Sequence, residues 1–340
     1  MRPDTAQPRT TSPTARRPGG GRAITLVAGA LLVGLTLLNA VLIWWFWPTS
    51  REFFRDDDSI DVPAADHPAR EVLWQTPRRL AAPLNAPMED YEPRLSWDGL
   101  TLFFVRGKAG ENADLYFATR TPEGWSAPQP LDAINTSADE LGPSPSFDGR
   151  ELFFYSDREG GVGGYDLWVS QRGPDTWLPP INLGPQVNSP YNDYGAALAP
   201  DGVTLYFASN RPQPGDARQP VPDAWPATLR EERFVRTYDL FRAERTAQGW
   251  TEAAALAALN SPANDGAPCV TPVGDFLYWA SDRAGGFGGY DLYRARIRDG
   301  TPLHVENLGP LVNSPANELD PGLTQLGFAL YFSSDRGAMA

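Results

Sequence analysis

Three groups of residues in this sequence could do chemistry. The first is an arginine set directly behind an acid or amide: Asp157-Arg158, Asn210-Arg211, Asp282-Arg283 and Asp335-Arg336. Gathered at one mouth of a channel, these side chains would form a ring of charge. Alternatively each arginine pairs with an acid upstream: Glu140 with Arg158, Asp193 with Arg211, Asp265 with Arg283 and Glu318 with Arg336. Recurrence in copy after copy favours structural pairing, because a binding site rarely needs every copy alike. The second group is two glycine loops, residues 160–164 and 285–289, beside Asp166 and Asp291. A phosphate cradle would need a helix start and usually a lysine, and neither accompanies these loops. Calcium-binding glycine and aspartate arrays repeat in a nonapeptide register, which does not match here. Tight connections between strands are the expected role, and no metal or cofactor is expected. The third group lies in a segment special to one copy, residues 212–237, which carries Trp225, Arg230, Arg233 and Arg236. A long loop on a rigid scaffold is a usual place for function. The segment reads as a partner-binding arm or as a tolerated surface excursion.

The sequence offers no catalytic constellation. It lacks a Gly-x-Ser-x-Gly elbow and a histidine placed as a general base. His67 and His304 are its two histidines, and neither has metal-ligand spacing. Cys269 is the single cysteine, so no intrachain disulfide can form, and it is expected to pack as a small apolar residue. A net charge of −13 speaks against nucleic acid, whose backbone needs a basic surface. A non-catalytic binding protein is the expected reading. The alternatives are a hydrolase or lyase acting on glycan or peptide, and a sensor fragment lacking its catalytic or peptidoglycan-binding part.

The elements that must position these groups follow from an internal repeat. Aligned on Asn85, Asn135, Asn188, Asn260 and Asn313, each copy has a glycine fourteen residues later: Gly99, Gly149, Gly202, Gly274 and Gly327. A leucine stands three residues beyond each glycine and two aromatics follow it, as in Leu152-Phe153-Phe154 and Leu277-Tyr278-Trp279. An acid stands five residues after each asparagine: Asp90, Glu140, Asp193, Asp265 and Glu318. In the second copy, residues 143–147 read as an inward strand and Asp148-Gly149 as a hairpin turn. Leu152 to Tyr155 read as a strand apolar on both faces, Tyr165 to Trp168 as a third strand, and Trp177 as the start of a fourth. Four antiparallel strands in about fifty residues make a propeller blade.

The run Ser-x-Asp-Gly-x-x-Leu-x-Phe-x-Ser-Asp-Arg-x-Gly-Gly-x-Gly-Gly-Tyr-Asp-Leu resembles the WD-like β-propeller repeat of TolB-like propellers, found also in envelope proteins with an OmpA-like domain. The resemblance covers residues from about 74 to 340 and implies fold rather than function. The fold class expected is therefore all-β, a propeller of about five four-stranded blades with the last incomplete, over residues 70–340. The fifth copy holds two strands and stops where a glycine loop and third strand would follow. Residues 74–80 match the fourth-strand segments at 125–131 and 177–183, so they are expected as the outer strand of the last blade, closing the ring. A truncated product or a three-stranded closing blade would each explain the ending, and the first is favoured.

Ahead of the repeats, residues 23–47 are apolar and uncharged. At about 1.5 Å per residue they are long enough to cross a hydrocarbon core of roughly 30 Å as one transmembrane α-helix. Residues 1–22 carry five arginines and one aspartate, so this tail, expected to be disordered, stays cytoplasmic by the positive-inside rule. A cleaved signal peptide would have a shorter core and a small-x-small site, neither of which is present. Residues 48–69 read as an acidic linker. The propeller is thus expected outside the cytoplasmic membrane, held by one N-terminal helix. It is expected to bind a protein or cell-envelope polymer, with basic partners attracted by its acidic surface.

Overall fold

The computed structural model describes residues 74–86, 89–213, 237–298, 300–324 and 329–337. These are all-β. Among the described residues no helix is long and apolar enough to cross a membrane. The apolar run at 23–47, the tail and the linker lie outside the described residues, as do Trp225, Arg230, Arg233 and Arg236 of the inserted segment.

Five antiparallel sheets follow one another along the chain. The first holds β1 (Asp90–Leu95), β2 (Thr101–Arg106), β3 (Asp114–Thr121), β4 (Gly124–Trp125) and β5 (Gln129–Pro130). The second holds β6 (Glu140–Pro145), β7 (Glu151–Ser156), β8 (Asp166–Gln171) and β9 (Ile181–Asn182). The third holds β10 (Asp193–Leu198), β11 (Thr204–Ser209), β12 (Asp239–Thr246), β13 (Gly249–Trp250) and β14 (Ala254–Ala255). The fourth holds β15 (Asp265–Val270), β16 (Phe276–Ser281), β17 (Asp291–Arg298) and β18 (Thr301–Asn307). The fifth has two strands, β19 (Glu318–Leu323) and β20 (Leu330–Ser334). Four sheets are thus complete propeller blades. Their first strands stand side by side in the order β1, β6, β10, β15, β19, and β19 packs back against β1. The inner strand begins at the repeat's acid, three residues earlier in the second copy than the sequence suggests.

Each blade folds for local reasons. The first hairpin turns on a glycine in the left-handed region (φ 70°, 68°, 69° and 76° at Gly99, Gly149, Gly202 and Gly274), whose N–H donates to the carbonyl three residues back. Only glycine takes that φ without steric cost. The second strands are apolar on both faces and wholly buried from Leu152 to Tyr155 and from Leu277 to Ala280, because each is sandwiched between neighbouring blades. The third strand pairs with the second over six residues in each complete blade.

One expectation is corrected. Residues 74–80 form no strand. A fourth strand exists only by pairing with a third, as β9 does with β8 through Trp168↔Asn182. In the fifth sheet β20 pairs with β19 alone among the described residues, so residues 74–80 have no ladder to join. Trp74 still packs against the buried cluster of Cys269, Phe276 and Tyr278 in the fourth sheet.

Candidate functional site: the propeller axis and its mouth

The repeated asparagine fastens one blade to the next. Asn188 accepts the Leu167 N–H on Oδ1 (2.8 Å) and donates from Nδ2 to the Leu167 carbonyl (3.0 Å) and to Asn182 Oδ1 (2.9 Å). Asn135, Asn260 and Asn313 make the same bonds to Leu115, Leu240 and Leu292, the leucines of the preceding blades' third strands. Four residues on, Asp139, Asn192, Asn264 and Asn317 accept the N–H of Ala113, Tyr165, Tyr238 and Tyr290. Asn85 faces no described third strand and donates to the Leu80 carbonyl.

The four acid–arginine pairs foreseen in the sequence all form. Arg158 lies 2.9 Å from Glu140, Arg211 2.6 Å from Asp193 and Arg336 2.8 Å from Glu318, and Arg283 pairs with Asp265. The carboxylates are fully buried, and each arginine also donates to the carbonyl just before its own copy's asparagine, as Arg158 does to Ile134 (2.9 Å). Burial pushes the Glu140 carboxyl up, against bonds from Thr136 and the charge of Arg158 that pull it down. Each guanidinium also covers aromatic rings of its own sheet: Arg211 lies over Phe207 and Phe241, and Arg283 over Trp279 and Tyr293. In the first copy Asp90 pairs with Arg106 instead (2.6 Å). These arginines therefore tie each sheet's inner hairpin to the connecting segment ahead of it, inside the fold. The glycine loops likewise fold onto their own acids: Asp166 accepts the Gly163 N–H (3.1 Å), and Asp291 accepts the Phe287 (2.6 Å) and Gly288 (3.2 Å) N–H groups. Among the described residues no cluster of three or more His, Cys, Asp or Glu could hold a metal ion.

The axis itself carries residues that the sequence reading passed over. In every sheet the pairing of first and second strands slips at one place, for example between Tyr91 and Arg94 and between Leu319 and Gly322. The residue in that bulge has positive φ: Glu92, Gly142, Gly195, Ala267 and Asp320. Left-handed backbone costs a non-glycine residue roughly 1–2 kcal/mol, so Glu92 and Asp320 hold their positions against strain. Both carboxylates are buried. Glu92 accepts the Tyr155 hydroxyl (2.6 Å) and the Gly142 N–H (2.6 Å), and its own N–H donates to Ser333 Oγ (2.9 Å). Gly142 permits this contact, since a Cβ there would lie 2.5 Å from the Tyr155 ring. Burial, then the charge of Glu92, drives the Tyr155 phenol far above its ordinary range. The signal was present seven residues after each repeat asparagine, where three copies are small and two are acidic.

Arg94 closes the ring at the same level. It donates to the carbonyls of Asp320 (3.2 Å), Pro321 and Pro268 (3.1 Å). Beyond it a small cavity of about 50 Å³ opens among Arg94, Trp97, Phe147, Ala197, Cys269 and Leu323. Trp97 and Phe147 meet edge to face over it, centroids 5.0 Å apart. Burial pushes the Cys269 thiol up. Around this mouth the hairpin turns present Leu100, Val203 and Val273 to solvent, the last 79% exposed.

No protein-family model matches the chain, and no curated protein matches it. Solved structures similar to it include a putative TolB from Agrobacterium tumefaciens, 18% identical over 73% of this chain and 71% of that one, with a TM-score of 0.46. TolB from Acinetobacter baumannii is 14% identical over 71% of this chain and 47% of its own, with a TM-score of 0.44. A thermostable family-43 glycoside hydrolase is 11% identical over 77% of this chain and 86% of its own, with a TM-score of 0.48.

Proposed function

We propose that this chain is a binding scaffold, a ring of five sheets held by the apolar segment 23–47 at the outer face of the cytoplasmic membrane, which captures a protein or envelope polymer at the mouth of its axis. The observation that carries this reading is the mouth. Trp97 and Phe147 lie side by side on turns fixed by rigid sheets, and Leu100, Val203 and Val273 add exposed apolar surface at the same end. Apolar side chains clustered on a rigid surface favour partner binding. The acidic chain favours a basic partner.

A second reading, hydrolysis, draws on Glu92 and Asp320, two acids at equivalent axial positions. Carboxylate pairs serve glycoside hydrolysis. Binding is preferred because both Glu92 oxygens are already held by Tyr155 and Gly142. The test is capture of envelope components by the full chain in detergent, comparing wild type with Trp97→Ser/Val273→Asp. Loss of a reproducibly captured species in the variant supports the mouth as the site, and equal capture refutes it. Glycan turnover that vanishes in Glu92→Gln and Asp320→Asn would favour the second reading.

A further inference from the structure

One residue breaks the symmetry of the mouth at its floor. Nine residues after each repeat asparagine stand Arg94, Ser144, Ala197, Cys269 and Gly322, one arginine among four small residues. We infer that Arg94 is the anchor of a carboxylate pocket, which takes the C-terminus of a peptide whose last residue is apolar and whose residues upstream are basic. The inference rests on the reading of the mouth as the capture site and names the chemistry of its occupant.

The small residues make room for such a group. A Cβ on Gly322 would lie 2.5 Å from the Pro93 carbonyl and 3.5 Å from Arg94 Cδ, so glycine there lets the arginine lie across the ring. Ser144, Ala197 and Cys269 line the cavity of about 50 Å³ together with Arg94. One water needs about 10–15 Å³ of such space. The cavity therefore admits a group of a few heavy atoms, the size of a carboxylate.

Arg94 brings charge and donors to this cavity. A guanidinium carries five N–H groups, and the bonds to the Asp320, Pro321 and Pro268 carbonyls use three. Those acceptors are neutral, and among the described residues no carboxylate lies within ion-pair distance of Arg94. The repeat arginines differ, since each has a buried acid of its own. A half-buried guanidinium without a counter-ion favours a carboxylate, which it can meet through two parallel charge-assisted bonds.

The rim decides what carries that carboxylate. Four residues beyond the floor positions, the hairpin turns expose the carboxylates Asp98, Asp148 and Asp201. Arg150, 3.7 Å from Asp148, offsets one of them. Four residues of strand span roughly 13 Å, so an extended peptide anchored at the floor meets the rim about four residues before its last one. Between the two levels the wall is apolar, with Trp97 and Phe147 above the cavity. A fatty acid would bring no cation to the rim, and a polyuronate would bring further negative charge there. A peptide with an apolar last residue and lysine or arginine four or five residues earlier matches both levels.

The test measures binding of fluorescein-labelled Lys-Lys-Ala-Ala-Ala-Leu to the full chain in detergent by fluorescence polarisation, with the C-terminus free and with it amidated. Saturable binding of the free acid is expected, and at least tenfold weaker binding of the amide. Arg94→Gln should bring the acid down to the level of the amide and leave the amide unchanged. Replacing both peptide lysines by serine should weaken binding about threefold or more, a difference that Asp98→Asn/Asp201→Asn should erase. Arg94→Gln also loses bonds to the ring carbonyls, so circular dichroism checks its fold, and the comparison of acid with amide on wild type needs no variant. Equal binding of acid and amide, or binding of neither, would overturn the inference. If that equal binding is lost in Trp97→Ser/Val273→Asp, the mouth stands as the capture site and only the carboxylate anchor falls. If it is indifferent to that variant, both readings fall. Displacement of the peptide by laurate or polygalacturonate at lower concentrations than by its own unlabelled form would overturn a peptide as the occupant.

Discussion

Replacing Asn188 by alanine removes one of the fastenings between blades, and its cost can be worked from the bonds it makes. Asn188 is 2% exposed and holds both backbone groups of Leu167, itself fully buried. The Leu167 carbonyl keeps the Leu183 N–H at 3.1 Å, but the Leu167 N–H loses its acceptor. A buried donor left unsatisfied costs about 1–3 kcal/mol, and each lost bond about 1 kcal/mol more. With the bonds to the Leu167 carbonyl and to Asn182 also lost, the sum is roughly 3–5 kcal/mol, which for a domain this large lowers Tm by about 6–10 °C. The same substitution at Asn85 removes only the bond to the Leu80 carbonyl and should cost about 1 kcal/mol or less. Both variants and wild type would be compared as full chains in detergent by urea and thermal denaturation. Equal losses at the two positions would refute the fastening role, because the sequence context of the two asparagines is alike and only the neighbouring strand differs.

Two more outcomes are expected. The turn carboxylates Asp98 and Asp148 are held below their ordinary value of 3.8 by the hydroxyls of Ser96 and Ser146 and by backbone N–H groups. A lowered folded pKa gives stability that is present above the unfolded value and lost as pH falls through the folded one. The Asp98→Asn/Asp148→Asn chain should therefore lose less stability than wild type between about pH 5 and about pH 3; parallel urea midpoints would contradict this. Cys269 is buried and its thiol is pushed up, so a thiol reagent should label it slowly in the folded chain and rapidly in urea. Equal rates in both would show the thiol to be open.

Much of the fold was legible because the repeat is written in residues that act locally. Glycine at the hairpin turn and the apolar second strand need no distant partner to be read. The acid–arginine pairs were legible for the same reason: they lie 18 residues apart within one hairpin. What the repeat asparagine does was hidden, since its partners lie in the preceding blade and no local rule joins them. The expected strand at residues 74–80 failed for a related reason. Its sequence matches other fourth-strand segments, but a strand takes its identity from the ladder beside it. Glu92 and Asp320 were overlooked because aligning the copies favours what recurs, and these two matter by differing.

The fastenings also fix what a unit of this protein is. A span from one asparagine to the next carries the clasp for the blade before it and the third strand to be clasped by the blade after it. Lengthening the ring by such a span would leave every clasp filled. Inserting a structural blade, cut from inner strand to outer strand, would leave one third strand with no asparagine to hold it. Any redesign that adds or removes blades should cut at the asparagines, where the sequence period and the mechanical joint coincide.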